Sequence, residues 1–217
     1  MIIREILTLI ISYLLGSIPT AYITTRLVRG EDIRHVGGGN VGGLNTMREV
    51  GKLPAFFVVA FDMGKGAAAV AVAYWLFGVP PLFVILAGLM SVIGHIWMIF
   101  LKFSGGRGMG AAVGSVVTIS TIYGEWLVMG IFLALIATPL LITRNVPISM
   151  TVGFLSLPFL AGFAAHTALG TILAVALVLL VGGKFLPTAI ASWKRSKGLK
   201  NFVFHDSNPP GNRKNGM

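Results

Sequence analysis

The sequence predicts an all-α integral membrane protein of seven transmembrane helices, with the N-terminus outside and the C-terminus cytoplasmic. Three observations predict it. The 217 residues are 55% hydrophobic and 11% charged, whereas soluble domains carry about 25% charged residues. Mean hydropathy is +0.86, and apolar stretches near the roughly 20 residues that span a bilayer recur along the chain. The cations fall in alternate connections between those stretches.

The seven stretches are 5–27, 53–77, 80–100, 108–122, 124–143, 147–165 and 168–190. The first carries Pro19 in its middle and runs into Arg26 and Arg29 without a small-residue cleavage site. It reads as a retained span, not a cleaved signal peptide. The second carries Asp62 and Lys65, three apart and so on one helical face, able to pair. The third ends around Gly94, His95 and Trp97. The fourth is short, and its Gly110 and Gly114 at spacing four read as close helix packing. After the seventh, Trp193 to Lys200 mixes an aromatic with four cations, an interfacial anchor. The polar, Pro/Gly/Asn-rich end of the tail reads as disordered. The chain is therefore expected to form one multi-pass domain over 1–200 and a cytoplasmic tail over 201–217.

Orientation follows from the cations. One set of connections holds Arg29, Arg34, Arg48 and Lys52, then Lys102 and Arg107, then Arg144, then Lys194, Arg195, Lys197, Lys200, Arg213 and Lys214. The opposite connections, near 78–80, 122–125 and 163–167, contain no Lys or Arg; Arg4 is the outer cation. Positive loops stay in the cytoplasm and face anionic lipid. That accounts for the formal net charge of +10 without nucleic acid as a partner. The absence of cysteine excludes disulfides, thiolate nucleophiles and Cys-ligated metals.

Two polar loops on the cytoplasmic face stand out. The first runs Gly37-Gly38-Gly39-Asn40-Val41-Gly42-Gly43-Leu44-Asn45, preceded by Arg34 and His35 and followed by Arg48. The second runs Lys102-Phe103-Ser104-Gly105-Gly106-Arg107-Gly108-Met109-Gly110. Glycine admits close approach of a ligand, consecutive amides form anion nests, and arginine supplies forked positive charge. An oxyanion or phosphate site is the functional reading; flexible turns between helices are the plain one. Inside the spans, Asp62 and Lys65 read as a structural pair supporting the loops, and His95 as a satisfied core group or an acid–base residue. The same three residues leave a small transporter as an alternative.

Other chemistries lack their residues. Gly64-Lys65-Gly66 is not a phosphate-binding loop of the Walker type. No histidines or carboxylates have metal-ligand spacing, and there is no Gly-x-Ser-x-Gly elbow. No histidine is followed five residues later by aspartate. Neither a metal nor a cofactor is expected. A site rich in cations and poor in bases acts by positioning and charge stabilisation.

Several motifs in register resemble the bacterial membrane acyl-phosphate:glycerol-3-phosphate acyltransferases. Gly16-Ser17-Ile18-Pro19-Thr20-Ala21-Tyr22, Asp32-Ile33-Arg34, and Gly37 to Asn45 with Arg48 resemble that family's first motif. Asp62 to Gly66 resembles its Asp-x-x-Lys-Gly helix. Gly94-His95, Phe100 to Phe103 and Gly105 to Gly108 resemble its second. The resemblance covers roughly 13–117, about half the chain. It implies a seven-helix enzyme of the bacterial inner membrane, its active site facing the cytoplasm. The substrates implied are acyl phosphate and glycerol 3-phosphate, and the product lysophosphatidic acid, with membrane lipid around it.

On that basis Arg48, Lys102, Arg107 and His95 are the expected catalytic residues. Gly37, Gly38, Gly39, Asn40, Gly42, Asn45, Ser104, Gly105, Gly106 and Arg144 are the expected substrate-binding residues, with Asp62 and Lys65 in support. The chain departs from the family at several points. Hydroxyl residues are replaced at Gly38 and Leu44, and Arg107 stands for the usual lysine. The third motif keeps Arg144 and Val146 but has Pro147 and Met150 for serines. A C-terminal Arg-His-x-x-Asn-Ile motif aligns with 185–190, where Leu186 and Ala189 stand for its His and Asn. A relative with lost activity or a changed acceptor therefore stays open beside the acyltransferase.

Overall fold

The computed structural model describes residues 2–164 and 168–195. The tail over 201–217, residues 196–200 with Lys197 and Lys200, and part of the connection over 163–167 lie outside the described residues. Within them the chain is all-helical. Five helical stretches are long and apolar enough to cross a membrane: Ile2–Arg29, Lys52–Leu76, Pro81–Leu101, Trp126–Thr143 and Gly170–Pro187. Two shorter apolar helices, Met109–Ile122 and Val146–Gly162, complete the series. Among the described residues, these segments fall on apolar stretches read from the sequence.

The first stretch is broken into α1 (Ile2–Gly16) and α2 (Thr20–Arg29). Pro19 lacks an amide hydrogen and cannot continue the ladder, so the chain turns over Ser17 to Pro19. The short helix α3 (Gly43–Glu49) follows the first polar loop and leads to α4 (Lys52–Ala71), which a π turn extends through Leu76. Next come α5 (Pro81–Ile96), with proline at its first position as helix starts favour, and α6 (Met109–Ile122). The last three are α7 (Trp126–Thr143), α8 (Val146–Phe159) and α9 (Ala168–Arg195). The side chain of Asn145 caps α8 by accepting from the Ile148 amide at 3.2 Å.

Small residues hold the centre. Gly66 of α4 lies against the backbone of Ala111 on α6, and Gly114 of α6 against Met63 on α4; a Cβ at either would collide with a main-chain carbonyl. Gly110 abuts Asp62. This is the small-residue packing expected of Gly110 and Gly114, which lets backbones approach where lipid supplies no hydrophobic drive. Gly16 against Ser91 and Gly94 against Tyr13 join α1 to α5 in the same way. Many large apolar residues point outward: Leu27, Trp75 and Leu141 are all exposed. That distribution fits a lipid surround.

Two apolar clusters position the polar loops and the helices behind them. One joins Val92, Ile96, Ala111, Phe132, Phe154, Leu177 and Val181 from α5 through α9. The other joins Ala21, Ile33, Val41, Val58, Met98 and Leu101. The second cluster takes Val41 from the first polar loop and Ile33 from the approach to it, and Met98 and Leu101 from the approach to the second. It therefore sets both loops on one apolar floor.

Candidate active site

The first loop is shaped by Asp32 and Asn45. Asp32 accepts from the Arg34 amide at 3.0 Å and grips the Arg34 guanidinium, with Nη2 to Oδ2 at 2.6 Å. Its hydrogen bond to Arg34 outweighs partial burial and lowers its pKa to about 2. Arg34 Nη1 in turn donates to the Leu101 carbonyl at 3.4 Å, tying the first loop to the second. Asn45 is buried, accepts from the Gly38 amide at 3.1 Å and donates to the Val36 carbonyl at 3.0 Å. A single carboxamide thus closes the loop onto the start of α3. The left-handed backbone at Gly37 and Gly39 is what glycine supplies there.

The second loop leaves α5 through a tight turn in which Lys102 and Phe103 both have positive φ. It folds back so that the Gly106 amide donates to the His95 carbonyl at 3.0 Å. Gly106 is wedged between the His95 imidazole and the Val41 carbonyl of the first loop, with no room for a side chain. That wedge is where the two loops meet.

Between them lies a polar cavity of about 360 Å³. The first loop and α3 contribute Gly38, Gly39, Asn40, Leu44, Asn45 and Arg48. The second loop contributes Gly105, Gly106 and Arg107, and α9 adds Lys184 and Pro187. Arg48 and Arg107 both line this cavity. The Arg107 pKa is lowered by burial first and by the Arg48 charge second, and burial likewise lowers Arg48. Two partly desolvated guanidiniums converging on one cavity make a strong anion site.

Eight of the residues singled out from the sequence therefore line one space: Gly38, Gly39, Asn40, Asn45, Arg48, Gly105, Gly106 and Arg107. Others lie around it. Gly37 and Gly42 form turns of the first loop, Lys102 and Ser104 are exposed on the second, and Arg144 caps the end of α7. The sequence reading expected the loop amides to face a ligand. The Gly38, Gly39, Gly42 and Gly106 amides instead bond protein acceptors. Positive charge in the cavity comes from side chains.

Beneath the loops lies the intramembrane cluster. Asp62 Oδ1 accepts from Thr20 Oγ1 at 2.6 Å and lies 2.8 Å from Lys65 Nζ and 3.5 Å from His95 Nδ1. All three ionisable residues are buried. His95 reaches the second loop through its own carbonyl and its contact with Gly106, which places it behind the cavity wall. Lys184 was not among the expected site residues. Nothing in the local sequence marks it, and only the tertiary packing of α9 against the second loop brings it to the cavity.

Residues 6–194 match the protein family described as Glycerol-3-phosphate acyltransferase. The chain belongs to that family. Among curated relatives, glycerol-3-phosphate acyltransferase 1 of Dehalococcoides mccartyi is 46% identical over 180 residues, covering 83% of this chain and 86% of its own. Glycerol-3-phosphate acyltransferase 2 of Moorella thermoacetica is 40% identical over 155 residues, covering 71% and 76%. The solved structure of PlsY (YgiH), an integral membrane glycerol 3-phosphate acyltransferase in its glycerol 3-phosphate form, superposes with a TM-score of 0.78 at 27% identity, covering 88% of this chain and 92% of that one. Its lysophosphatidic acid form, at 24% identity and a TM-score of 0.74, shows the same fold. The chain is thus a membrane acyltransferase, and the family resemblance read from its motifs is borne out over most of its length.

Proposed function

We propose that the protein transfers a fatty acyl group from acyl phosphate to the 1-hydroxyl of sn-glycerol 3-phosphate, releasing lysophosphatidic acid and inorganic phosphate. The convergence of Arg48 and Arg107 on one polar cavity carries this reading. Both substrates are phosphate esters or anhydrides, and together they bring about four negative charges to one place. The solved relative captured in a glycerol 3-phosphate form adds support for the acceptor.

In this reading the glycine loop gives the acyl phosphate close access beside Arg48, and Arg107 draws in the glycerol phosphate. The acceptor hydroxyl attacks the acyl carbon, a new C–O ester bond forms, and the bond from that carbon to the phosphate oxygen breaks. The hydroxyl proton passes to the donor's own phosphate. The cations stabilise charge that shifts onto the leaving phosphate, and holding both substrates in one cavity supplies the orientation. His95 and the Asp62–Lys65 pair hold the second loop from behind; Lys102, Ser104 and Arg144 lie outside the cavity in roles of substrate access. Seven crossings, a single domain over 1–200, an outside N-terminus and a cytoplasmic-facing site in the bacterial inner membrane complete the proposal, supported by the cation asymmetry.

The test is direct. Purified protein supplied with palmitoyl phosphate and glycerol 3-phosphate forms lysophosphatidic acid, read by mass spectrometry, with matching phosphate release. A folded preparation that makes none while a family member works alongside would sink the reading. Screening other polyol phosphates would then separate a changed acceptor from an inactive relative.

A further inference from the structure

Lys184 and Arg107 are held by a reciprocal exchange. The Lys184 ammonium of α9 lies over the Trp97 ring, 5.7 Å from its centroid, and Trp97 ends α5 just before the second loop. The Arg107 guanidinium of the second loop lies over the ring of Phe185, the next residue of α9, at 5.4 Å. Each side gives a cation to an aromatic face on the other. Both cations line the polar cavity. Among the described residues, its cationic lining is Arg48, Arg107 and Lys184.

We propose that Lys184 is a substrate-binding residue that holds the phosphate of the acceptor together with Arg107, seated for the purpose against Trp97. The proposal rests on the acyl-transfer reading and deepens it. Two phosphate-bearing substrates bring about four negative charges, so two guanidiniums alone leave a net negative cavity. A third cation moves it toward balance. Lysine is a compact charge with three rotatable donors, suited to a phosphate whose orientation the arginines already fix. The acceptor depends on that charge more than the donor does. Acyl phosphate is also retained by its hydrocarbon chain in the bilayer, whereas a glycerol phosphate has only its phosphate and hydroxyls to hold it. The exchange also fastens α9 over the cavity, so that Lys184 sits at a fixed height above it.

The test uses the whole chain in detergent micelles, with steady-state kinetics and calorimetric titration of glycerol 3-phosphate in the absence of donor. Lys184→Met is expected to raise both KM and Kd for glycerol 3-phosphate roughly tenfold. KM for palmitoyl phosphate and the unfolding temperature should stay at wild-type values. Lys184→Arg should restore acceptor binding to within about threefold, and Trp97→Leu should give an intermediate loss. Lys52→Met, on the exposed start of α4, should change nothing. If Lys184→Met does not fold, Lys184→Gln carries the comparison. Wild-type Kd in the folded variant, or equal losses for donor and acceptor, would overturn the proposal. A wild-type chain that binds glycerol 3-phosphate but makes no lysophosphatidic acid would instead strike the acyl-transfer reading, and the calorimetric comparison would still decide on Lys184. A wild-type chain that binds none would overturn both.

Discussion

The Lys65 ammonium donates to the Ile18 carbonyl oxygen at 3.0 Å. That carbonyl sits at the break of the first span beside Pro19 and also accepts from the Thr20 amide at 3.0 Å. The same ammonium lies 2.8 Å from Asp62 Oδ1, which also accepts from Thr20 just beyond the break. A proline, a charge pair and a hydroxyl are thus parts of one device: the break disturbs backbone pairing within a span, and Lys65 supplies a further donor to it. Lys65→Met should destabilise the protein by about 3–5 kcal/mol, because the buried Asp62 carboxylate loses its ammonium partner. Adding Asp62→Leu to Lys65→Met should recover part of that loss. Thermal unfolding in detergent measures both, and an unchanged midpoint in the single variant would refute the account.

Helix contact at the centre predicts a second outcome. Gly114 packs on the Met63 backbone, so Gly114→Val must push α6 off α4. Overpacking of this kind costs about 1–3 kcal/mol. The displacement would also move the second loop, which ends where α6 begins, so activity should fall more than stability. Gly130→Ala, where the added Cβ meets nothing within 4 Å, is the matched control and should leave both unchanged.

Much of this arrangement was legible in the chain. Hydropathy located the apolar helices because each is written in consecutive residues. The pairing of Asp62 with Lys65 was legible because i,i+3 spacing fixes it locally. The two Gly/cation loops declared themselves against an apolar background. Three things were not legible. Lys184 reaches the cavity only through the packing of α9 on the second loop, a relation between residues some 77 positions apart. The amides of Gly38 and Gly39 are consumed within the loop, the first by the Asn45 side chain and the second by a local turn onto the Val36 carbonyl. Lys102 was expected at the centre beside Arg107, but a left-handed turn at Lys102 and Phe103 carries it out of the lining.

Asn45 makes a sharp prediction about the loop. Its carboxamide serves the Gly38 amide and the Val36 carbonyl from a buried position. Asn45→Ala leaves those groups without their partner, at about 1–3 kcal/mol for each one left unsatisfied. The shift should appear as faster amide exchange over 36–40 and as a rise in KM for acyl phosphate. Unaltered exchange with lost activity would show instead that the carboxamide works on substrate.

Asp32 gives the loop a pH dependence with a defined sign. Its pKa falls from the ordinary value near 3.9 to about 2 in the folded protein, chiefly through the hydrogen bond with Arg34. A lowered carboxyl pKa means stabilisation that is fully present above about pH 4 and is lost as pH falls toward 2. Amide protection over 32–40 should therefore decline across that window. In Asp32→Asn, which keeps the cap but not the charge, protection should start lower and lose the titration. A wild-type loop whose protection is flat from pH 5 to 2 would contradict this.

The two arginines should dominate catalysis. Arg48 and Arg107 both line the cavity, each partly buried, and burial disfavours a charge on both that a bound phosphate would favour again. Removing either should cost roughly 10²-fold or more in kcat/KM, the scale of one lost charge stabiliser in the transition state. Arg107→Lys should retain part of the activity, because the charge stays while the stacking on Phe185 is weakened. Lys102→Ala, exposed and outside the lining, should cost less than either arginine, and Lys52→Ala less than twofold. Steady-state kinetics with both substrates varied ranks the four. Equal losses for Arg107→Ala and Lys102→Ala would mean that the second loop moves on binding and brings Lys102 inward, which the closed turn at Lys102 and Phe103 opposes.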